Sequence, residues 1–447
     1  MVTGLFGTDG IRGQANRLLT PELILSLSRA IVATLTPEGG RVIIGRDTRT
    51  SGPMLEAALS AGLTSAGMDV YLAGVIPTPA ISFLIKDERA DLGVVVSASH
   101  NPPQDNGIKL FDRDGLKLSQ ELELRIERAL QETHEPAATI GRVTPLQAAA
   151  TRYAAFLTGM IDVDHVDFSN MTLVLDCAYG ATAPIAPRVF RHLGATVIPI
   201  HSALDGAQIN VDCGATHLAR LQQATKQHNA DLGIAFDGDG DRVLLVAPDG
   251  FVIDGDRMMG IAASHLADCN LLSPPAIVTT ILSNRGLELW LTERNIQVHR
   301  TDVGDRHVSH RMIAEGIQIG GEASGHVIFR DHSPTGDGIL TAVKLLEIAH
   351  HRGTDLPSLA REIPLFPQCT RNIACEDPAA LAQDARTKEL LRKAQDTLGQ
   401  SGRVVLRPSG TQPLLRVMVE SEDACRCNAT ASELESELQQ IAHLRGD

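Results

Sequence analysis

Short apolar runs alternate with longer amphipathic segments through most of the chain. Residues 41–45 and 69–72 are typical of buried strands. The segment between them, residues 54–66, follows Ser51-Gly52-Pro53 and is predicted to form a helix. This β-α-β alternation predicts α/β layers in which most strands pair in parallel.

The pattern changes towards the end of the chain. A helical stretch is predicted over residues 378–398, strands over 403–406 and 414–419, and a last helix over 429–444. Two short strands and two helices predict a small α+β domain. Turn-like segments near residues 135–150, 250 and 364–372 then divide the chain into four domains, which are 1–150, 151–250, 251–366 and 367–447.

Three apolar runs, one in each of the first three domains, end in a polar loop of small residues. Residues 90–96 lead into the loop with Ser99, residues 230–236 into the loop with Asp237, and residues 317–320 into the loop with Glu322. Ligands of open α/β sheets bind beyond the carboxyl ends of strands. We therefore expect three similar mixed α/β domains that each present one loop to a central cleft. Coincidence is the alternative, because strand-to-loop transitions are common.

The sharpest chemical signal is residues 237–242, with the sequence DGDGDR. Glycines between the aspartates let the backbone curl so that three carboxylates converge, and converging carboxylates need a cation between them. Ligation by oxygen alone is typical of Mg²⁺ or Ca²⁺. An EF-hand is excluded, because its sixth position needs Gly and its twelfth Glu, where this chain has Arg242 and Pro248. A solvated acidic turn remains as the alternative.

Two further loops carry candidate nucleophilic and acid–base groups. Ser99 lies in the loop SASHNPP, whose prolines stiffen the backbone, although this motif alone is more typical of an ordinary turn. In the loop GEASGH, Glu322 and Ser324 can bond sugar hydroxyls, and His326 can relay a proton or be a structural histidine. Lys109, shortly after the serine loop, is another acid–base candidate.

A loop near the end of the chain offers two guanidinium groups, two hydroxyls and backbone N–H groups that can surround a phosphate. Its residues are Arg407, Ser409, Gly410, Thr411 and Arg416. A hairpin turn with surface arginines is an equally good interpretation of this segment alone. Neither G-x-x-x-x-G-K-[ST] nor G-x-G-x-x-G occurs in the chain, which disfavours nucleoside triphosphatases and dinucleotide enzymes.

The composition of the chain limits which partners it can bind. The formal net charge of −14 opposes a general surface for polyanions, and the aromatic content of 3% removes the stacking platforms that single-stranded nucleic acids use. We therefore expect no nucleic-acid partner. The chain has neither a signal-peptide pattern nor an apolar run of the roughly 18 residues that span a membrane, and its cysteines are scattered. A cytoplasmic protein with no membrane partner is expected.

Together these segments resemble the α-D-phosphohexomutase superfamily, whose members carry a serine loop, a DGDGDR metal loop, a GE-x-SGH sugar loop and an RPSGT phosphate loop in this order. The resemblance is closest to the bacterial phosphoglucosamine mutases and covers nearly the whole chain. It includes the segments FGTDGIRG at 6–13, DCAYGAT at 176–182, CGATH at 213–217 and VGDR at 303–306.

The resemblance implies four domains around a central cleft and a homodimer. Ser99 would be the phosphorylated serine, and one Mg²⁺ per subunit would be held by a phosphoserine oxygen with Asp237, Asp239 and Asp241. The sugar would contact Glu322 and Ser324. The residues around its second phosphate would be Arg407, Ser409, Gly410, Thr411 and Arg416. The proton carrier is left open among His326, Lys109 and Arg12, and Arg242 is a further catalytic candidate.

The reaction implied by the resemblance interconverts glucosamine 6-phosphate and glucosamine 1-phosphate through a sugar 1,6-bisphosphate, and it feeds UDP-N-acetylglucosamine and peptidoglycan precursor synthesis. The nearest alternative is a phosphomannomutase/phosphoglucomutase of the same superfamily, which shares the chemistry and differs only in the sugar. Ala323 stands where Gln is usual and bears most on which sugar is preferred, whereas Gln412, where Glu is common, removes a charge beside the phosphate loop. A metal-dependent phosphatase and a non-catalytic metal-stabilised binding module are more distant alternatives.

Overall fold

The computed structural model describes residues 4–7, 9–134, 137–161, 166–408 and 413–445. The chain forms two compact units. One contains Met1–Thr280 and His299–Arg361, and the other contains Ile281–Val298 and Glu362–Asp447. In the described part of the chain, no helix combines the length and the apolar character needed to cross a bilayer.

The first sheet has six strands: β1 (Ile11–Gln14), β2 (Gly40–Arg46), β3 (Met68–Val75), β4 (Leu92–Val96), β5 (Asp105–Phe111) and β6 (Val143–Pro145). Their order is β1-β5-β4-β2-β3-β6, with the pairs β4-β2, β2-β3 and β3-β6 parallel and the pairs with β5 antiparallel. The accompanying helices are α1 (Pro21–Leu35), α2 (Gly52–Ser65), α3 (Thr78–Glu88) and α4 (Gln120–Ala129). All five residues of β4 are buried, as expected for a central strand covered on both faces.

The second sheet has five strands: β7 (Thr172–Asp176), β8 (Thr196–Ile200), β9 (Leu232–Phe236), β10 (Val243–Val246) and β11 (Val252–Ile253). Their order is β11-β10-β9-β7-β8, parallel between β7 and its two neighbours and antiparallel at the β10 edge. Helices α5 (Ala149–Thr158), α6 (Ala186–His192) and α7 (Ala219–Gln227) belong to this region, as does the 3-10 turn Gly214–Thr216.

The third sheet has four strands: β12 (Ala276–Thr280), β13 (Gln297–Thr301), β14 (Ile319–Gly321) and β15 (Val327–Phe329), in the order β13-β12-β14-β15. The pair β12-β14 is parallel and the pair β14-β15 antiparallel. The helices of this part of the chain are α8 (Gly255–Asp268), α9 (Arg285–Thr292), α10 (Asp305–Glu315), α11 (Gly338–His351) and α12 (Leu356–Arg361).

The C-terminal part has an antiparallel sheet of β16 (Gln368–Ala374), β17 (Gly402–Pro408) and β18 (Leu414–Ser421), in the order β16-β18-β17. Its helices are α13 (Pro378–Gln383), α14 (Ala385–Leu398) and α15 (Ala424–Arg445), with a 3-10 turn at Gly399–Ser401. Side chains from β18 and α15, among them Val417, Leu434 and Leu438, form its buried apolar cluster.

Six of the eleven strand pairs described above for the three α/β sheets are parallel and five are antiparallel, so parallel pairs predominate only narrowly. Three details of the sequence-based prediction are wrong, all of them in the C-terminal part. The C-terminal sheet has a third strand, β16, which escaped detection because only Ile373 of its seven residues is buried. The predicted helix over 378–398 is two helices, because Asp384 is extended (ψ 137°) and caps α14 by accepting the Arg386 N–H at 2.8 Å. The last helix begins at Ala424 rather than near residue 429.

Candidate active site

Three strand-end loops of the first unit meet through their backbones. Ser99 follows β4, residues 237–242 connect β9 to β10, and residues 322–326 connect β14 to β15. Glycines permit the approach: a Cβ on Gly238 would lie 2.6 Å from the Ser99 carbonyl oxygen, and one on Gly325 would lie 2.1 Å from that of Val243. The structure therefore brings the three predicted loops together.

Ser99 is buried, and its hydroxyl points at the acidic loop. Its Oγ donates a hydrogen bond to Oδ2 of Asp237 at 2.6 Å and lies 3.3 Å from Nδ1 of His100. Its φ is +52°, a left-handed conformation that non-glycine residues adopt only when their surroundings hold them there. Burial, followed by the positive charges of Arg242 and Arg12, lowers the pKa of His100 to about 4, so the imidazole beside the serine is neutral at pH 7.

Asp237, Asp239 and Asp241 converge as expected. Each is at least 98% buried, and one potential ligand atom from each lies within 4.8 Å of those of the other two. Burial and the charges of Asp241 and Asp239 raise the pKa of Asp237. Within the described ranges, Oδ1 of Asp239 and Oδ1 of Asp241 are buried without a hydrogen-bond partner. Buried carboxylate oxygens that lack a hydrogen-bond partner fit a hard divalent cation, so the triad is a candidate metal site.

Lys109 pairs with the opposite oxygens of the same aspartates. Its Nζ lies 2.7 Å from Oδ2 of Asp239, 2.9 Å from Oδ2 of Asp241 and 3.2 Å from Oδ2 of Asp9. Burial disfavours the charged lysine, but these three carboxylates outweigh it and raise the pKa of Lys109 well above its usual range. Arg12 also pairs with Asp9 and donates to Oδ1 of Asn101 at 3.2 Å.

His326 borders the triad on the third loop. Its Nδ1 lies 3.9 Å from Oδ1 of Asp241, and its Nε2 lies 3.4 Å from Oδ2 of Asp305 and accepts the Gly336 N–H at 3.1 Å. Burial disfavours the imidazolium, yet Asp305 and Asp241 raise the pKa of His326 above its ordinary value. Lys117 closes this side by pairing with both Asp305 and Asp9.

The other loop residues of the first unit lie around this centre. Glu322 is half-buried, and its Oε1 accepts the Gly304 N–H at 3.1 Å, whereas Ser324 is exposed. Arg242 donates its backbone N–H to Oδ1 of Asp237 at 3.1 Å, and its Nε lies 4.0 Å from Oδ1 of Asp241. Burial opposes the guanidinium charge, but Asp241 and Asp237 raise the pKa of Arg242.

The predicted phosphate residues belong to the second unit. Arg407 on β17 and Arg416 on β18 are direct partners in the antiparallel ladder, which places two cationic side chains at adjacent cross-strand positions. Ser409, Gly410 and Thr411 lie outside the described residues.

Six charged or polar residues of this centre were missed by the sequence analysis. Asp9 and Asp305 lie within segments that carry the family resemblance, but no role was given to them. Asp47 and Arg49 follow β2 just as Ser99 follows β4, so the strand-end argument applied to that strand would have found them. Lys117 and Asn210 have no comparable local signal.

Models of one family match nearly the whole chain. They are the phosphoglucomutase/phosphomannomutase alpha/beta/alpha domain I at residues 3–137, domain II at 151–250, domain III at 254–366 and the C-terminal domain at 371–437. Three α/β/α domains followed by a C-terminal domain confirm the predicted fold class.

Similar proteins and solved structures point to the same family. The chain is 45% identical to the phosphoglucosamine mutase of Caldanaerobacter subterraneus subsp. tengcongensis, over 96% of this chain and 97% of the relative. It is 43% identical to that of Carboxydothermus hydrogenoformans, over 98% and 99%. A phosphoglucomutase/phosphomannomutase family protein from Burkholderia thailandensis has a TM-score of 0.82 at 25% identity and covers 99% of this chain and 98% of its own.

One more structure shows the same fold, the Aspergillus fumigatus N-acetylphosphoglucosamine mutase in complex with GlcNAc-6P and magnesium. Its TM-score is 0.70 at 17% identity, over 98% of this chain and 96% of that one. Because four family models span the chain and relatives share more than 40% of its residues, it belongs to the phosphoglucomutase/phosphomannomutase family of phosphosugar mutases, as predicted.

Proposed function

We propose that the protein interconverts glucosamine 6-phosphate and glucosamine 1-phosphate through a phosphorylated Ser99 and a sugar 1,6-bisphosphate. The observation that carries the proposal is the 2.6 Å contact between the Ser99 hydroxyl and Asp237, which puts a candidate phosphoryl acceptor against the acidic triad. Relatives at 43–45% identity are named phosphoglucosamine mutase, which supports this sugar.

The proposed cycle consists of two phosphoryl transfers. In the first, a sugar hydroxyl oxygen bonds to the phosphorus of phosphoserine 99, the bond from phosphorus to the Ser99 Oγ breaks, and the hydroxyl proton is passed on until Oγ is again a hydroxyl. After the bisphosphate turns in the site, the other phosphate returns to Ser99 by the reverse of these steps. The bisphosphate is thus both intermediate and activator.

The residues present fit one Mg²⁺ per subunit. Asp237, Asp239 and Asp241, with an oxygen of phosphoserine 99, would hold it. When bound, the ion neutralises charge on the phosphoryl oxygens. The magnesium complex of the Aspergillus fumigatus enzyme supports this choice among hard cations.

The chain's other residues bind the sugar and handle the proton in this proposal. Glu322 and Ser324 bind sugar hydroxyls, and the second phosphate is held by Arg407, Ser409, Gly410, Thr411 and Arg416. His326 is the favoured proton carrier. Its Nε2 accepts the Gly336 N–H, which places the proton of the neutral ring on Nδ1. Lys109 is held by three carboxylates and Arg12 by Asp9, so both serve better as fixed charges, together with Arg242.

The proposed domains are residues 1–150, 151–250, 251–366 and 367–447. The spans of the four family models, 3–137, 151–250, 254–366 and 371–437, are compatible with these boundaries. The homodimer and the cytoplasmic location remain predictions from the sequence.

The central experiment measures the intact mass of the purified protein before and after incubation with a sugar 1,6-bisphosphate. We expect an added mass of about 80 Da that maps to Ser99 and is absent from Ser99→Ala. Ser358→Ala is the control for loss of a serine hydroxyl, because Ser358 is exposed on α12 and does not belong to the serine loop. A phosphate that maps to another residue, or full mutase activity in Ser99→Ala, would refute the proposal.

The sugar and the reaction class need separate assays. With Mg²⁺ and a trace of bisphosphate, glucosamine 6-phosphate should turn over faster than glucose 1-phosphate or mannose 1-phosphate. The reverse order would favour the phosphomannomutase/phosphoglucomutase alternative. Stoichiometric release of inorganic phosphate would instead identify a phosphatase.

A further inference from the structure

We infer that Arg49 is a positioning residue that holds the Ser99 loop in the conformation from which the serine exchanges its phosphoryl group. The inference rests on the proposed function for the role of Ser99, but the loop geometry that carries it stands independently. Arg49 lies in the segment after β2, fifty residues before Ser99, whose carbonyl oxygen it contacts.

Every N–H of the Arg49 guanidinium has an acceptor. The group is fully buried, and its Nη2 donates to the carbonyl oxygens of Ser99 at 2.9 Å and Asn101 at 2.7 Å. Its Nη1 donates to the carbonyl oxygens of Asp105, at 2.9 Å, and Pro102. Its Nε donates to Oδ2 of Asp47 at 2.9 Å. These five bonds use all five donors, so the guanidinium has none left for a substrate phosphate.

The same carboxylate also controls the other side of Ser99. Oδ2 of Asp47 accepts the Ser97 hydroxyl at 2.6 Å, and the Ser97 Oγ in turn accepts the Ser99 N–H at 2.9 Å. Asp47 and Arg49 therefore hold, directly or through Ser97, both the N–H and the carbonyl of residue 99. A residue held at both peptide groups keeps its φ of +52°, and this conformation aims the hydroxyl at Asp237.

A second donor ties the loop to the sheet that carries the acidic triad. Nδ2 of Asn210 donates to the Ser99 carbonyl at 2.9 Å and to the Asn101 carbonyl at 3.1 Å, the same two oxygens that Arg49 binds. Thr48, next to Arg49, donates its hydroxyl to the Tyr179 carbonyl at 2.6 Å. The Asn210 contact ties the serine loop to the segment after β8, and the Thr48 contact ties the segment that carries Arg49 to the loop after β7. Both contacts therefore limit how far Ser99 can move from the second sheet, and hence from Asp237.

Lysine at position 49 tests this role, because it keeps the charge but not the planar fork with five donors. We expect Arg49→Lys to lower kcat by about 100-fold or more, while KM for the sugar phosphate changes less than threefold, since the residue does not touch the sugar. Phosphorylation of Ser99 by sugar bisphosphate should slow by a similar factor. Arg46→Lys is the matched control, because Arg46 pairs with Glu56 (3.2 Å) rather than with the serine loop.

Hydrogen exchange provides a readout that does not depend on activity. Amides of residues 97–105 should exchange at least tenfold faster in Arg49→Lys than in the wild type and remain protected in Arg46→Lys. If Arg49→Lys does not fold, Asn210→Ala tests the same carbonyls without a buried charge, and it should lower kcat by about tenfold with KM unchanged.

The outcomes separate the two proposals. Unchanged exchange together with a kcat within threefold of the wild type, in folded Arg49→Lys or in Asn210→Ala, would overturn the positioning role. A wild type that forms no phosphoserine and converts no sugar phosphate would refute the proposed function instead, whatever the exchange shows.

Discussion

Lys109 and Asp239 form a buried ion pair, with 2.7 Å between Nζ and Oδ2, on the edge of the acidic triad. The lysine uses Oδ2 of Asp239 and of Asp241. Oδ1 of each has no hydrogen-bond partner in the described part of the chain. Under the proposed function, each of the two aspartates shares Oδ2 with Lys109 and keeps Oδ1 for a divalent ion, so the charge of Lys109 limits how strongly the triad attracts that ion.

Replacing Lys109 with Met should therefore make the protein depend more on Mg²⁺ for its stability. Without the ammonium group, three buried carboxylates repel one another, and only a bound cation or protonation relieves them. We expect Lys109→Met to melt well below the wild type in a chelator, and to gain more in melting temperature than the wild type when Mg²⁺ is added.

Differential scanning fluorimetry across a Mg²⁺ titration measures both effects. Lys226→Met, on the exposed part of α7, is the control for loss of a lysine. An equal Mg²⁺-induced shift in the wild type and in Lys109→Met would show that the lysine does not compete with the metal.

Loss of one triad carboxylate should reduce both metal affinity and turnover. Asp241→Asn removes a charged oxygen ligand while keeping the side-chain shape, and we expect activity at low Mg²⁺ to fall by about 100-fold or more, with partial recovery at high Mg²⁺. Chelation should silence the wild type reversibly.

Asp249→Asn serves as the control for the triad substitution, since this exposed aspartate after β10 pairs with Arg361 and accepts the Phe251 N–H at 3.1 Å, and neither partner belongs to the triad. Wild-type turnover that survives exhaustive chelation, or an Asp241→Asn variant as active as the wild type at limiting Mg²⁺, would contradict a metal role.

Much of this centre follows from one local rule, and the remainder does not. The loops that hold Ser99, Asp237 and Glu322 were singled out because each follows an apolar strand, and strand ends gather at one edge of a sheet. The roles of these residues came from the DGDGDR motif and from the family resemblance. Lys117 meets Asp305 across 188 residues of sequence, and Asn210 meets the Ser99 carbonyl across 111. Such pairs depend on how separate domains pack, which no local pattern encodes.

Strands that are buried on both faces were also predictable from the sequence. Strands such as β4 and β9 are continuous apolar runs, because both of their faces are covered. The strand β16 is exposed at most positions, because one of its faces is open while Cys369 and Ile373 on the other face pack against the apolar cluster of the C-terminal part. Two apolar contacts in seven residues are too weak a pattern to predict a strand, and the local sequence does not show the ladder to β18.

A methyl group at Gly238 should disable the site while leaving most of the fold intact. The added Cβ would lie 2.6 Å from the Ser99 carbonyl oxygen and 2.9 Å from Nδ2 of Asn210, and backbone cannot yield at that distance without moving the serine loop. We expect Gly238→Ala to lose activity by about 100-fold and to lower the melting temperature by only a few degrees.

Gly159→Ala is the control for the glycine substitution, since a Cβ there would lie 3.1 Å from the Ala155 carbonyl oxygen of its own helix end and would not contact the serine loop. Turnover assays and thermal melts of both variants decide the matter. Normal phosphorylation of Ser99 in Gly238→Ala would show that the close approach of the two loops is not needed.

Asp337 should make stability fall as pH rises towards neutrality. Its carboxyl is buried, accepts the Tyr153 hydroxyl at 2.6 Å and caps α11 by accepting the Leu340 N–H at 2.9 Å. Burial raises the pKa of Asp337 to about 6, from 3.8 in an unperturbed side chain. Between these two values the folded chain holds a proton that the unfolded chain has lost. The contribution of the protonated Asp337 carboxyl to the free energy of unfolding is therefore complete below pH 3.8 and is lost as pH rises through about 6.

Asparagine at position 337 keeps the cap and cannot ionise, so it isolates this effect. The difference of about two pKa units corresponds to about 3 kcal/mol, of which roughly half should develop between pH 5 and pH 8. We expect the melting temperature of Asp337→Asn to rise relative to the wild type across that interval. Tyr153→Phe, which removes a hydrogen bond to the ionised carboxylate, should steepen the loss in the protein that keeps Asp337. A difference in melting temperature between the wild type and Asp337→Asn that stays constant from pH 5 to pH 8 would contradict this prediction. It would show that the Asp337 carboxyl titrates outside this interval and that burial does not set its pKa.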